Sequence, residues 1–173
     1  MTDVRSYTAT EHLRDGRTIE IRALHSDDRE GMLAAVGRVS GPSLQRRFFA
    51  TKRGFSDAEI AFFVDIDFDQ HVALVAQLAE NGRATIVGGG RYVLVKDGEA
   101  ELAFLVVDAY QGQGIGRLLL KHLVALARES GLHALTAEVL RGNAPMLRLF
   151  ADFGFRTVPQ RDFSAVHLVL ELA

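Results

Sequence analysis

The apolar and polar residues of this chain follow two different periods. In residues 17–24 they alternate, and a period of two predicts a strand. Residues 27–39 instead repeat apolar side chains at helical spacing, behind Asp27 and Glu30, which have the spacing of a capping box. The helices predicted in this half of the chain are 27–39, 43–50 and 56–66.

Beyond residue 70 the pattern is mainly that of strands. Strand-like runs are predicted at 71–79, 84–95, 100–107, 133–140 and 163–172. Asn-Gly and Asp-Gly pairs separate the first three runs and predict an antiparallel meander. Helices are predicted at 114–130, closed by Gly131, and at 144–153. Three consecutive glycines at 88–90 predict a bulge or a close approach of backbone within a strand.

This order of elements indicates an α+β fold. Residues 1–16 show no period and are predicted to form a mobile N-terminal arm, and residues 17–173 a single domain. The fold of this domain is expected to be built on one central sheet flanked by helices.

Composition excludes several classes of function. The 173 residues contain 48% apolar and 24% charged residues, 20 basic against 22 acidic, and no cysteine. Without a basic block we expect no nucleic-acid partner, and without a long apolar run no membrane span. The histidines show no ligand spacing, so no metal site is expected. A cytoplasmic monomer or homodimer is the default expectation.

The glycine-rich stretch at 111–117 stands between a predicted strand and the longest predicted helix. A helix N-terminus offers unpaired N–H groups and about half a positive charge. Glycines in front of it let an anion approach the backbone closely, which predicts a phosphate or pyrophosphate site. The stretch fits neither the Walker pattern, since Arg117 and Leu118 follow Gly116, nor the dinucleotide fingerprint.

Read as Gln111-x-x-Gly114-x-Gly116, the stretch resembles the coenzyme A loop of the GNAT superfamily of N-acetyltransferases, Gln/Arg-x-x-Gly-x-Gly/Ala. Residues 143–155 resemble the later motif of that family, and residues 43–49, 69–76 and 100–120 are most similar to the catalytic domain of bacterial protein lysine acetyltransferases. The resemblance implies a mixed, largely antiparallel sheet splayed between the fourth and fifth predicted strands.

The resemblance also implies acetyl-CoA as co-substrate and names the residues that hold it. The pantetheine arm would pair with backbone at Val106 and Val107, and Asn143 would contact the arm or cap its own helix. Arg117 and Lys121 would face either the phosphates or solvent. The backbone that would hold the pyrophosphate belongs to Gln111, Gly112, Gln113, Gly114, Ile115, Gly116 and Arg117.

An amine acceptor would need a general base, and the resemblance points to Glu101, with Glu138 and then Glu99 as alternatives. The backbone N–H of Val106 or Val107 would stabilise the oxyanion. Many relatives have a tyrosine as catalytic acid where this chain has Phe150, so the acid is unassigned.

The acceptor is expected at residues 40–70, where the acidic run 65–69 would attract a cationic amine. It is expected to be a protein lysine, for example of a metabolic enzyme. A small amine, or a coenzyme A-binding module without turnover, is the alternative.

Overall fold

The fold is built around one sheet, seen in a computed structural model that describes residues 4–38, 64–159 and 165–172. Its strands are β1 Thr8–His12, β2 Thr18–Ala23, β3 His71–Glu80, β4 Arg83–Lys96, β5 Glu99–Val106, β6 Ala134–Leu140, β7 Arg156–Val158 and β8 Ala165–Glu171. The helices in these ranges are α1 Arg29–Val36, α2 Ile115–Glu129 and α3 Ala144–Asp152. The predicted helix at 43–50 and nearly all of the one at 56–66 lie outside the described residues.

The eight strands lie in the order β1-β2-β3-β4-β5-β6-β8-β7. Each neighbouring pair is antiparallel except β5 and β6, which are parallel. No helix in the described part of the chain is long and apolar enough to cross a membrane. The prediction of a mixed, largely antiparallel sheet flanked by helices is therefore confirmed.

The parallel strands β5 and β6 diverge soon after they meet. They pair only through Glu99–Ala134, Ala100–Leu135 and Glu101–Thr136, although both strands continue for several residues. This confirms the predicted splay, which falls between the fifth and sixth strands because the sheet has one more strand at its start than predicted.

The additional strand β1 corrects the prediction of a patternless arm at residues 1–16. Residues 8–12 pair in register with residues 18–22 of β2. The strand was missed because its side chains alternate only between exposed and half-buried, as expected at a sheet edge. Glu11 also ties β1 to α2, since its carboxylate lies 2.9 Å from both Lys121 Nζ and His122 Nε2.

The start of α1 also differs from the prediction. The helix begins at Arg29 after a 3-10 turn, Ser26–Asp28. Asp28, and not Asp27, accepts the backbone N–H of His25 at 2.7 Å. The same carboxylate takes two hydrogen bonds from Arg22, six residues earlier, so the cap forms one residue later than predicted, where this ion pair supports it.

Helices α1 and α2 lie on opposite faces of β4. On β4, Ile86 is opposite Gln77 of β3 and Gly88 is opposite Ala76, and Val87 is the extra residue of a bulge between them. Ala76 and Gln77 are consecutive and therefore face opposite sides of the sheet, so Gly88 and Ile86 do so too. Ile86 meets α1 at Gly31, and Gly88 meets the α2 residue Ile115. The side of the sheet on which Ile86 lies is called below the α1 face, and the side on which Gly88 lies is called the α2 face.

The glycines at 88–90 make the predicted close approach. A Cβ on Gly90 would lie 2.8 Å from the Phe104 ring and 2.9 Å from Leu123 of α2, and one on Gly88 would lie 3.1 Å from the carbonyl oxygen of Leu105. The predicted bulge is present as well. Because these positions lack side chains, α2 packs directly against β4 and its N-terminus lies close to the end of β5.

A buried pair on the sheet makes the stability of the protein sensitive to pH. Arg91 Nη1 and His71 Nε2 are 2.9 Å apart, and each residue is only 7% exposed. Burial, and then the charge of Arg91, lower the pKa of His71 from 6.5 to about 4. The unfolded chain therefore takes up a proton below pH 6.5 that the folded protein refuses until about pH 4.

We predict that the free energy of unfolding falls by roughly 3 kcal/mol from this source as the pH drops from 6.5 to 4. Urea unfolding between pH 4 and 7.5 measures it, with His71→Gln as the comparison because glutamine keeps an acceptor but does not titrate. In the variant, the free energy of unfolding should fall less steeply with decreasing pH, because this contribution is missing. An identical slope in both proteins would contradict the assignment.

Candidate active site

The gap between β5 and β6 is lined by backbone polar groups. Val107 donates its N–H to the carbonyl of Val87 at 2.9 Å, on the β4 side. Backbone groups of consecutive residues point to opposite edges of a strand, so Val106, and Phe104 two residues before it, direct theirs towards β6. The β5–β6 ladder has already ended at Glu101, and the gap therefore presents main-chain donors and acceptors that another extended molecule can pair with.

The glycine loop continues from this gap into α2. Gly112 and Gly114 have φ of +78° and +91°, conformations that glycine adopts without strain. The first helical hydrogen bond runs from Leu118 N–H to the carbonyl of Gly114. The N–H groups of Ile115, Gly116 and Arg117 precede it and have no acceptor within the helix, as an anion site requires.

Gly116 differs from the other two glycines. Its backbone is helical, and an added Cβ would meet only Leu149 Cδ2, at an ordinary 3.6 Å. The structure thus has room for either glycine or alanine here, which gives a physical reason for the Gly/Ala choice at this position of the motif.

Side chains of the loop hold it to the strand end. Gln111 Nε2 donates to the carbonyl of Val106 at 3.0 Å, and Gln113 Nε2 donates to the carbonyl of Ala109 at 3.3 Å. The N–H of Gln111 donates to Asp108 within the turn. Gln111 therefore serves the loop structurally, and the predicted phosphate-binding backbone is narrowed to Gly112–Arg117.

Glu80, at the end of β3, holds the residue that precedes the glycine loop, Tyr110. It accepts the hydroxyl of Tyr110 and two hydrogen bonds from Arg38, at 3.1 and 3.0 Å. The hydrogen bond from Tyr110 lowers the pKa of Glu80, and the same bond raises the pKa of the tyrosine. The Tyr110 ring, just before the glycines, is held in place by charged partners on two other elements.

These elements enclose a cleft of about 830 Å³. Its walls are β5 residues 101–106, the glycine loop, β6 residues 137–139 and α3, which contributes Pro145, Met146, Arg148, Leu149 and Phe150. Phe150 packs against Phe104 with ring centroids 5.8 Å apart. The cleft is polar at the loop and mainly apolar at α3, where Arg148 is the one charged residue of the wall.

Two carboxylates line the cleft on the same face. Val106 is opposite Gly88 and lies on the α2 face, so Glu101 lies on the α1 face. Thr136, opposite Glu101, shares that face, and so does Glu138 two residues further along β6. Glu101 is exposed, whereas Glu138 pairs with His167 Nδ1 on β8. Glu99, the third candidate base, instead pairs with Lys96 at 3.2 Å and does not line the cleft.

Several predicted site residues are placed differently from the expectation. Both backbone groups of Val107 are used within the protein, its N–H by Val87 and its carbonyl by Tyr110, whereas Phe104 and Val106 direct theirs towards the gap. Arg117 pairs with Asp152 of α3 at 2.7 Å, and Lys121 with Glu11 of β1. The guanidinium and ammonium groups are thus engaged in ion pairs, whereas the backbone of Arg117 remains in the cleft.

Asn143 combines the two roles considered for it. Its side-chain oxygen accepts the N–H of Met146 at 3.4 Å and so caps α3, and the residue also lines the cleft. The cap uses the oxygen, which leaves the NH₂ group as the donor on offer to a ligand.

The acidic run at 65–69 does not line the cleft. The carboxylate of Asp67 accepts the N–H groups of Asp69, Gln70 and His71 at 2.9 to 3.0 Å, and these bonds, that from Asp69 first, lower its pKa. It is therefore a turn-forming residue. Within the described residues, the carboxylates that line the cleft are those of Glu101 and Glu138.

None of the three tyrosines of the chain replaces the acid missing at Phe150. Tyr110 donates to Glu80, Tyr7 bonds His122 on α2, and Tyr92 is 1% exposed in the core. In the described part of the chain, no group of three or more histidines and carboxylates is arranged to hold a metal ion.

Sequence reasoning missed one wall of the cleft. Arg14 lines it from the β1–β2 turn, and Arg17 of the same turn donates to the side-chain oxygen of Gln113. The local sequence offered only a weak signal, a charged Asp-Gly turn within an apparently patternless segment.

An opened parallel pair, a glycine loop and a helix N-terminus together form a cleft that can pair with an extended molecule in the gap and hold an anion at the loop. Comparison with known proteins shows which family has such a cleft. Residues 42–155 match the model of the acetyltransferase (GNAT) family. The chain is 35% identical over 153 residues to an acetyltransferase of Pseudomonas aeruginosa, covering 88% of this chain and 81% of that one.

Two further likenesses are more specific. The GNAT domain of PAT from S. lividans superposes with a TM-score of 0.87 at 34% identity, covering 95% of this chain and 97% of that domain. Acetyltransferase Pat of Mycolicibacterium smegmatis is 28% identical over 146 residues, which are 82% of this chain but 42% of the relative. This chain belongs to the GNAT family of acetyl-CoA-dependent N-acetyltransferases.

The residues of the cleft fit coenzyme A. The backbone of Phe104 and Val106 suits the two amides of the pantetheine arm, and the N–H groups of 112–117 suit the pyrophosphate. The open space around the positive-φ glycines keeps that backbone accessible, since a Cβ at Gly112 or Gly114 would meet no protein atom within 4 Å.

We predict that Gly114→Ala lowers the free energy of unfolding by about 1–2 kcal/mol, because alanine is strained at this φ. It should also weaken coenzyme A binding at least tenfold, because the loop and its N–H groups shift. Calorimetric titration and urea unfolding measure the two effects.

Gly82→Ala is the matched control, since Gly82 has φ of +77°, equally open surroundings and a remote place in the β3–β4 turn. It should cost similar stability and leave coenzyme affinity unchanged. Equal affinity losses in the two variants, or none in Gly114→Ala, would contradict the loop assignment.

Proposed function

We propose that this protein transfers the acetyl group of acetyl-CoA to the side-chain amine of lysine in a protein substrate. The observation that carries the proposal is the pair of carboxylates, Glu101 and Glu138, on one face of the β5–β6 gap. The similarity to the GNAT domain of PAT over nearly the whole chain supports a protein acceptor. A small cationic amine is the second candidate, because the carboxylates of Glu101 and Glu138 would attract it too.

The backbone at the gap and the α1 face beside it would bind different substrates. The backbone of Phe104, Val106 and 112–117 would hold acetyl-CoA, which supplies the acetyl group as an activated thioester. Glu101 and Glu138 lie on the α1 face, from which the acceptor amine would approach. Opening the sheet between the two strands lets donor and acceptor meet within it.

Glu101 would remove the proton that prevents a lysine amine from attacking the thioester. A lysine amine has a pKa of about 10.4, so at pH 7.4 only about one molecule in a thousand is neutral, a handicap of roughly 4 kcal/mol. A carboxylate beside the gap can accept the surplus proton, directly or through water. Because Glu101 is exposed, it can pass that proton on to solvent.

The backbone of β5 supplies the remaining electrostatic help. The N–H groups of Phe104 and Val106 point into the gap, whereas that of Val107 is bonded to Val87, so one of the first two, and not Val107, would stabilise negative charge on the acetyl oxygen. With Phe150 unable to donate, solvent would protonate the departing thiolate, a modest demand since thiols have a pKa near 8.5.

Thiol release from acetyl-CoA tests the proposal with a panel of acceptors. The panel holds lysine peptides, acyl-CoA synthetases and small amines such as polyamines. We predict fastest release with a lysine-bearing protein or peptide, and mass spectrometry should show acetylation of a side-chain amine. Release with small amines alone would contradict the protein acceptor.

Substituting glutamates one at a time tests the base. Glu101→Gln should lower kcat/KM about a hundredfold or more, as removal of a general base does. Glu99→Gln, two residues away on the same strand and face but outside the cleft, should leave it unchanged. A large loss in Glu138→Gln with little effect in Glu101→Gln would transfer the role to Glu138.

A further inference from the structure

The β1–β2 turn is hydrogen-bonded internally and lies beside the glycine loop. Leu13 N–H donates to the carbonyl of Arg17, and Gly16 N–H to that of Leu13, both at 2.9 Å. Leu13 is only 5% exposed, so it anchors the turn in the core. Its neighbour Arg14 is exposed and lines the cleft.

Direct contacts hold this turn against the loop. Arg17 donates to Gln113, and its guanidinium carbon lies 5.8 Å from the centroid of the Tyr110 ring. Arg17 also pairs with Asp15 at 2.7 Å, which neutralises the one acid of the turn. Among the described residues Arg14 forms no ion pair, and it is the cation that the turn presents to the cleft.

The charges of coenzyme A call for such a cation. A phosphomonoester carries about 1.5 to 2 negative charges at pH 7, and the pyrophosphate adds more. The N-terminus of α2 supplies only about half a positive charge. Arg117 is neutralised by Asp152. Arg148 of α3 also lines the cleft, but the turn that carries Arg14 is bonded directly to the glycine loop, through Arg17 and Gln113.

We propose that Arg14 binds a phosphate of coenzyme A, which makes the N-terminal hairpin a part of the coenzyme site. The inference rests on the coenzyme site described above and is independent of the acceptor. A guanidinium suits a phosphate because its planar N–H groups can donate in pairs. The 3′-phosphate and the pyrophosphate share this chemistry, and comparing coenzyme A with dephospho-coenzyme A distinguishes them.

Calorimetric titration of both coenzymes tests the proposal with the wild type, Arg14→Gln, Arg14→Lys and Arg83→Gln. We expect Arg14→Gln to weaken coenzyme A binding about tenfold, as loss of a charge-assisted hydrogen bond does. Arg14→Lys should recover part of the affinity. Arg83→Gln, an exposed arginine beside the β3–β4 turn and outside the cleft, should bind like the wild type.

The second ligand assigns the phosphate. A loss confined to coenzyme A supports the 3′-phosphate, and equal losses for both coenzymes support the pyrophosphate. Unchanged affinity of Arg14→Gln for both would overturn the role of Arg14 while leaving the coenzyme site intact. Failure of the wild type to bind either coenzyme would overturn the site and this inference together.

Discussion

The divergence of β5 from β6 is the constraint on which the rest of this molecule depends. Buried backbone N–H and C=O groups need partners, and a sheet that opens in its middle leaves a short row of them without a neighbouring strand. Here the row begins after Glu101 and includes Phe104 and Val106. The opening persists because each strand is secured on its far side, β5 by β4 and β6 by the whole length of β8.

Aromatic packing helps to keep the gap open. Phe150 of α3 lies between Phe104 of β5 and Phe155, with ring centroids 5.8 and 4.8 Å away. Phe150 is therefore an apolar wedge that is only 2% exposed. The side chain that cannot donate a proton still serves the site by its packing.

Polar contacts between distant parts of the chain preorganise the glycine loop. Glu80 joins Tyr110 to Arg38, and Arg17 joins the N-terminal hairpin to Gln113. A loop held in this way loses little conformational freedom when a ligand binds, which favours affinity. The hairpin, the turn after α1 and β3 thus support the glycine loop, although the motif itself covers only residues 111–117.

Local sequence predicted the features that depend on local physics. Helical spacing predicted α2, and Asn81-Gly82 predicted the β3–β4 hairpin. These elements are encoded by neighbours a few residues apart. The splay followed from resemblance, since no periodicity reveals where two parallel strands separate.

What could not be predicted depends on contacts between residues far apart in sequence. Strand β1 has no apolar period because it lies at the sheet edge, and Arg14 lines the cleft on a turn that is bonded to the distant Gln113 through Arg17. Val107 was misplaced for the same reason, since its partner Val87 depends on strand register. The pairing of Glu138 with His167 likewise joins two strands that no local pattern connects.

Amide hydrogen exchange measured by NMR, with and without coenzyme A, tests the central claim most directly. If the coenzyme completes the opened sheet, the N–H groups of Phe104 and Val106 become strongly protected when it binds. The N–H of Val107, already bonded to Val87, changes little. Coenzyme binding that leaves Phe104 and Val106 exchanging as before would contradict the account, because the gap would not then be the place where the coenzyme lies.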